Sequence, residues 1–168
     1  MSELKPNDPV AFVPVTRGEN KLEVRNEGGA SIIDMIGAVG GSWYDDGGIT
    51  EKEFRNALNS IPKGKPVTLN INSEGGSVQE GLGIYAAIKE RSADITAKYN
   101  GYALSIASIF PLAASRRIAS KASLGMIHCA WSWAQGNADD MRKQAERHAA
   151  SAQAAGRWLA AHQRKGAA

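Results

Sequence analysis

Short apolar segments with the character of β-strands alternate along this chain with segments that have helical spacing. The segments that follow Thr50 and Ser77 carry apolar residues three and four positions apart, and each lies between two strand-like segments. Strands separated by helices pair in parallel, so the alternation predicts an α/β fold. We expect strands, in chain order, at residues 11–15, 21–26, 30–39, 67–71, 95–101, 118–119 and 124–129.

Capping signals predict where the first two helices begin. Thr50 precedes a helix in which Phe54 and Leu58 share one face, and Pro62 ends it. Residues 77–80 read Ser-Val-Gln-Glu, the form of a capping box, so the second helix begins there. The three residues before it, Glu-Gly-Gly, predict a sharp turn.

Two further helices are expected in the second half of the chain. The first is a small-residue apolar helix over residues 105–114. The second is long, covers residues 137–164, and begins at Asn137 as N-cap with Asp139 and Asp140 in its first turn.

Length and composition indicate one domain over residues 1–168, with residues 1–9 as a loose arm. No apolar run approaches the ~20 residues of a membrane span, and the beginning of the chain lacks the layout of a secretory signal. Cys129 is the single cysteine, so we expect a cytoplasmic protein without a disulfide. The net charge of +3 is dispersed and comes with no nucleic-acid recognition motif.

Residues 67–80 could form a device that binds an anion. Glycines at 75 and 76 let backbone amides point into a cleft beside the positive end of a helix. The alternative is a tight turn without further role. Neither glycine-rich nucleotide fingerprint occurs in the chain, so phosphate transfer is not expected.

Ser105 and His128 are the residues whose side chains could carry chemistry. Ser105 lies where a strand gives way to an apolar segment, and there it is either a nucleophile or a helix N-cap. His128 ends an apolar run and could accept the serine proton, or be structural. His148 and His162 have no neighbours at metal-ligand spacing, so no metal site is predicted.

Three segments in order resemble the signature segments of the Clp protease proteolytic subunit family. They are Asn-Ser-Glu-Gly-Gly-Ser at 72–77, Gly-Tyr-Ala-Leu-Ser ending at Ser105, and Met-Ile-His ending at His128. Gly-Gly-Ser-Trp at 40–43, Trp131 and Gly-Asn-Ala-Asp-Asp at 136–140 resemble the phage head-maturation branch of that family. The likeness extends over residues 30–147.

The resemblance implies a spiral of ββα units, the fold shared by ClpP and crotonase, with a long C-terminal handle helix. It implies Ser105 as nucleophile, His128 as general base, and the backbone amides of Gly76 and Ile106 as the oxyanion hole. It implies no cofactor. The expected partners are protein or peptide substrates, further copies of the chain in homo-oligomeric rings, phage capsid or portal proteins, and an AAA+ unfoldase.

The catalytic acid of the family is not identified in this sequence. The carboxylates after His128 are Asp139, Asp140 and Glu146, and none fits the position of that acid. We expect the two aspartates to serve the helix start instead. The resemblance implies a final α/β segment after the long helix that is not found in this sequence, so we expect a truncation or a frameshift.

Two smaller departures from the family pattern concern the site. Glu74 stands where relatives usually have proline, and Pro111 falls inside the expected helix after Ser105.

Three alternatives to an active Ser–His peptidase stay open. One is a catalytically impaired assembly or scaffold subunit of the same family. Another is a crotonase-fold acyl-CoA enzyme, which would use carboxylates and no nucleophilic serine. The third is a Ser–Lys peptidase in which Lys98 or Lys121 takes the place of the histidine.

Overall fold

The computed structural model describes residues 20–41, 47–131 and 135–163. Its strands and α-helices are β1 Lys21–Glu27, β2 Ala30–Val39, α1 Glu51–Asn59, β3 Val67–Gly76, α2 Val78–Glu90, β4 Ile95–Leu104, β5 Arg116–Ala119, β6 Leu124–Met126 and α3 Ala138–Gln163. Three short 3₁₀ turns cover Ser92–Asp94, Ser105–Ser108 and Phe110–Ala113. The predicted α/β fold is confirmed. The arm at 1–9, the strand expected at 11–15 and the Ser-Trp pair at 42–43 lie outside the described residues.

One sheet of six strands organises the molecule. The strand order is β1-β2-β3-β4-β5, and β6 pairs with β4 as well. The β1–β2 pair is antiparallel and all other pairs are parallel. Residues 96–99 of β4 pair with β5, whereas residues 102–104 pair with β6. Two short strands therefore share the same edge of β4 at different levels.

Helices α1 and α2 and the turn at Phe110 cover one face of the sheet. Alternate residues of β2, β3 and β4 point to that face, as the pleat of a strand requires. The largest fully buried side chains are Phe54, Phe110, Ile33, Met35, Leu58, Leu69, Ile71, Ile84, Ile88, Ile95, Val39 and Val67. This core holds the carboxyl ends of β3 and β4, where the candidate site lies.

The predicted cap of α1 is confirmed, and that of α2 is half right. Thr50 and Glu53 form a full capping box. Ser77 accepts a hydrogen bond from the Glu80 amide at 3.3 Å, but the Glu80 carboxylate accepts the Glu51 amide of α1 at 2.5 Å instead of returning to Ser77. The Ser77 amide donates to the Val39 carbonyl at 2.8 Å, so it needs no side-chain acceptor.

Strands β3 and β4 are longer than their apolar patterns predict. β3 continues past residue 71 to Gly76, and β4 continues past residue 101 to Leu104. In the added part the backbone is still paired, since Ser73 lies opposite Ala103. Backbone pairing does not require an apolar side chain, so the alternation ends before the strand does.

The helix expected over residues 105–114 is wrong. Two 3₁₀ turns occupy this segment, with the Ile109 amide bonded to the Ile106 carbonyl at 3.0 Å. Pro111 has no amide hydrogen to continue an α-helical ladder. The Ser108 hydroxyl also donates a hydrogen bond to the Ser105 carbonyl, at 2.6 Å.

The long helix is confirmed almost at its predicted ends. α3 begins at Ala138, and the Asn137 side chain accepts hydrogen bonds from the amides of Asp139 and Asp140 at 2.9 and 3.1 Å. Most of its described side chains are exposed. Within the described parts of the chain, we find no helix both long and apolar enough to cross a membrane.

Candidate active site

Ser105 lies directly after β4 in a strained backbone conformation. Its φ is 55°, and it is the one non-glycine residue with positive φ among those described. L-residues avoid this region unless their surroundings enforce it, and such strain concentrates at functional sites. Leu104 holds the N-cap position of the following turn, without a side-chain cap. The N-cap interpretation of Ser105 is therefore wrong.

His128 reaches Ser105 because β6 runs beside the end of β4. Leu104 pairs with Met126, so the residues that follow the two strands emerge close together. The His128 Nε2 lies 2.8 Å from the Ser105 Oγ. That distance suits transfer of the serine proton to the imidazole. The recorded partner of Ser105 is this histidine, not Lys98 or Lys121.

The glycine pair at the end of β3 lies close to the backbone of neighbouring strands, and Gly75 approaches residues 104–106. A Cβ at Gly75, whose φ is 88°, would lie 2.5 Å from the Leu104 carbonyl oxygen and 2.8 Å from the Ser105 Cβ. At Gly76, with φ 143°, a Cβ would lie 2.2 Å from the Val39 carbonyl oxygen. Only glycine allows both conformations and both approaches.

The two amides expected to form an oxyanion hole lie on the segments that meet at Ser105. Gly76 is exposed at the end of β3. The Ile106 amide lies 3.2 Å from where a Gly75 Cβ would be. Ile106 stands in the first part of a 3₁₀ turn, where amides have no acceptor within the turn. The glycine turn and this amide therefore border the same space beside Ser105.

Three polar side chains support the site, and the sequence analysis did not identify their roles. Buried Ser73 accepts the Gly75 amide on its hydroxyl at 3.1 Å, and Asn72 Oδ1 accepts the Tyr102 amide at 3.1 Å. The Ser108 hydroxyl donates a hydrogen bond to the Ser105 carbonyl. The available signal was a pair of polar residues, Asn72 and Ser73, that follows the apolar part of a strand.

Two of the carboxylates that follow His128, Asp139 and Asp140, serve the first turns of α3, as expected. Asp140 accepts the Asn137 amide at 3.1 Å, and Asp139 accepts the Arg142 guanidinium. No carboxylate of the described residues hydrogen-bonds to His128, so the catalytic acid stays unidentified. In the same part of the chain, no three His, Cys, Asp or Glu side chains are grouped to hold a metal ion.

A negative charge lies near the site on β3. Glu74 is half-buried between Ser73 and Gly75. Partial burial raises the pKa of the Tyr102 hydroxyl above its usual range, and the charge of Glu74 raises it further. Glu74 thus places an anionic group close to the strand that carries the nucleophile.

The sequence profile of the Clp protease family matches residues 56–167, which include the glycine turn, Ser105 and His128. The chain belongs to the Clp protease family. The crotonase-fold acyl-CoA enzyme considered from sequence is therefore not supported. The Ser–His pair of this Clp protease family member lies well inside the matched region.

Curated relatives align with about half of this chain. The ATP-dependent Clp protease proteolytic subunit of Bacteroides fragilis is 41% identical over 86 residues, which are 50% of this chain and 42% of the relative. That of Porphyromonas gingivalis is 36% identical over 86 residues, 50% of this chain and 39% of the relative. Subunit 1 of Chlamydia pneumoniae is 35% identical over 88 residues, 48% and 46% of the two chains. The alignments span less than half of each relative.

Proposed function

We propose that this member of the Clp protease family is a serine endopeptidase that uses Ser105 and His128. The observation that carries the proposal is the 2.8 Å contact between His128 Nε2 and Ser105 Oγ. The serine oxygen attacks the carbonyl carbon of a peptide bond while its proton passes to Nε2. Nε2 then protonates the departing amine as the C–N bond breaks. Water hydrolyses the remaining acyl-enzyme, which restores the serine.

The oxyanion that forms during attack needs hydrogen-bond donors on the other side of Ser105. We assign the amides of Gly76 and Ile106 to this role, because the close approach of Gly75 brings both segments to the nucleophile. Loss of one such donor costs about 10²–10³ in turnover in a comparable enzyme.

The second candidate is a catalytically impaired assembly subunit. It is favoured by one observation, that no described carboxylate hydrogen-bonds to His128. In a comparable triad, neutralising the acid lowers turnover by about 10⁴, because the imidazole is no longer held in the correct tautomer. A backbone carbonyl, a water molecule or a carboxylate of a neighbouring subunit would have to take over this task. We therefore expect slow turnover.

The substrates and partners we propose follow the head-maturation branch. The segments at 40–43, Trp131 and 136–140 support capsid or portal proteins as substrates. The relatives are named ATP-dependent proteolytic subunits, so an ATP-driven unfoldase is the alternative partner. Homo-oligomeric rings are the expected assembly, and exposed α3 offers a surface for contacts between one ring and the next.

A fluorophosphonate probe separates the two candidates. We expect the probe to label wild-type protein at Ser105, and Ser105→Ala to remove the label. His128→Ala should lower labelling strongly, whereas Lys98→Ala and Lys121→Ala should not. Wild-type labelling no higher than that of Ser105→Ala would reject the peptidase and leave the assembly subunit. Cleavage of capsid or portal precursors, compared with an unfolded model protein, then tests the substrate class.

A further inference from the structure

The pairing of β3 with β4 shifts register just before the nucleophile. Ile71 of β3 lies opposite Tyr99, and the next recorded pair is Ser73 with Ala103. Two steps along β3 thus correspond to four along β4. The extra length of β4 falls at Asn100 and Gly101 and forms an irregularity of the bulge type.

Asn72 occupies the position opposite this irregularity. Its Oδ1 accepts the Tyr102 amide at 3.1 Å, which supplies a partner where the regular ladder is interrupted. A Cβ at Gly101 would lie 2.4 Å from the same oxygen, so the side chain fits because residue 101 is glycine. Asn72 therefore determines how β4 resumes pairing after the shift.

Asn72 binds the amide of Tyr102, and at Tyr102 the edge of β4 that faces away from β3 changes its partner from β5 to β6. Tyr99 is the last residue of β4 that pairs with β5, and Tyr102 is the first that pairs with β6. From Tyr102, three residues lead to Ser105. From its partner Leu124, four residues lead to His128. A displacement of Tyr102 would therefore displace the two catalytic side chains relative to each other.

We propose that Asn72 is a positioning residue for the Ser105–His128 pair. By holding the Tyr102 amide, it sets the register of residues 102–104 against β6 and so sets the distance between Ser105 Oγ and His128 Nε2. It touches neither of these groups. The inference rests on the proposed peptidase function for its kinetic consequence, while its structural part can be tested without activity.

Three variants of β3 test this role. Asn72→Ala removes the acceptor, and Asn72→Asp keeps an oxygen in the same place. Asn70→Ala is the matched control, because Asn70 lies two residues earlier on the same face and bonds to Asp34 at 2.7 Å instead of β4. A misplacement of about 1 Å costs roughly 10²-fold in catalysis. Per folded molecule, we expect fluorophosphonate labelling of Asn72→Ala to fall about 10–100-fold, and that of the other two variants to stay near wild type.

A second measurement does not depend on activity. The ¹⁵N chemical shift of His128 Nε2 reports its contact with Ser105, and Ser105→Ala defines the shift without that contact. Asn72→Ala should move the signal towards the Ser105→Ala value, and Asn70→Ala should not. If wild type is not labelled, the peptidase proposal fails, and this shift alone decides about Asn72. If Asn72→Ala does not fold, Asn72→Gln, which moves the oxygen by one methylene, is measured in its place. A folded Asn72→Ala, or the Asn72→Gln measured in its place, that keeps wild-type labelling and shift would overturn the inference.

Discussion

The two residues of the candidate site, Ser105 and His128, lie in very different structural surroundings. Ser105 follows a strand paired on both sides, and the adjacent Ile106 and Ala107 are 3% and 0% exposed. His128 follows the three-residue strand β6, in a stretch whose apolar side chains Ile127 and Trp131 are 60% and 71% exposed. We call residues 124–131 the base segment.

This difference indicates which half of the proposed site would limit the activity that we propose. Buried apolar area fixes the position of Ser105, because any movement there would disturb a close-packed core. The base segment depends on pairing with residues 102–104 and has little buried area to hold it. We therefore expect catalysis to depend on how well β4 presents its edge to β6.

The largest expected effect is on the free energy of unfolding, which should fall much more for a variant near Ser105 than for a variant in the base segment. Phe110→Ala removes a fully buried ring beneath the nucleophile turn and should lower the free energy of unfolding by about 3–5 kcal/mol. Trp131→Ala, in the base segment, should change it by less than about 0.5 kcal/mol. Urea denaturation of both variants measures this. Equal losses would show that the base segment is as firmly packed as the core.

A pair of glycine variants probes the two flanks of β4 next. Gly75→Ala places a methyl group against Leu104 and Ser105 and should lower fluorophosphonate labelling about 10²–10³-fold, as loss of an oxyanion donor does. Gly125→Ala, on the β6 flank, meets open space at ordinary φ and should leave labelling within about threefold of wild type. Similar losses at both positions would contradict the distinction between a crowded flank and an open one.

The smallest expected effect is a dependence of the free energy of unfolding on pH, which arises from Asp34 in the sheet. Burial acts to raise the pKa of Asp34, but hydrogen bonds from Arg25 and Asn70, with the charge of Arg25, hold it below its usual value. The stabilisation is therefore present above the unfolded pKa of about 4 and is lost as pH falls from there through the folded pKa. Asp34→Asn should be less stable at pH 7 by about 1 kcal/mol, since Arg25 is partly exposed.

Unfolding by urea at pH 7 and at pH 3 measures this contribution. The difference between wild type and Asp34→Asn should shrink as the pH falls. A difference that stays constant over this range would show that ionised Asp34 does not stabilise the sheet.

The parts of the fold that follow local rules were predictable from sequence. The strand at 30–39 and the helix capped by Thr50 agree with the structure because a run rich in Ile and Val that ends at two glycines, and a threonine cap before helical spacing, are local signals. The ends of β3 and β4 were not, because they are set by backbone pairing to neighbours distant in sequence. The same limit applies to the helix expected at 105–114, where tertiary packing and Pro111 favour 3₁₀ turns.

The candidate site was predictable only as a set of residues. Ser105 and His128 could be named from the order of three motifs, but their 2.8 Å contact depends on β6 pairing beyond the register shift of β4. The polar pair at 72–73 marks Asn72 as unusual, but the backbone groups that Asn72 and Ser108 bind could not be read from the sequence. The acid could not be assigned from the sequence, and the described residues do not supply one.

The left-handed backbone of Ser105 also bears on what a subunit of this kind could become. Glycine adopts such a conformation without penalty, whereas serine loses on the order of 1 kcal/mol there. Replacing Ser105 by glycine would thus remove the proposed nucleophile and relieve this backbone strain in a single step. A lineage kept only for assembly would be free to take that step. A serine at position 105 therefore carries a cost in stability that only a use for its hydroxyl group would justify.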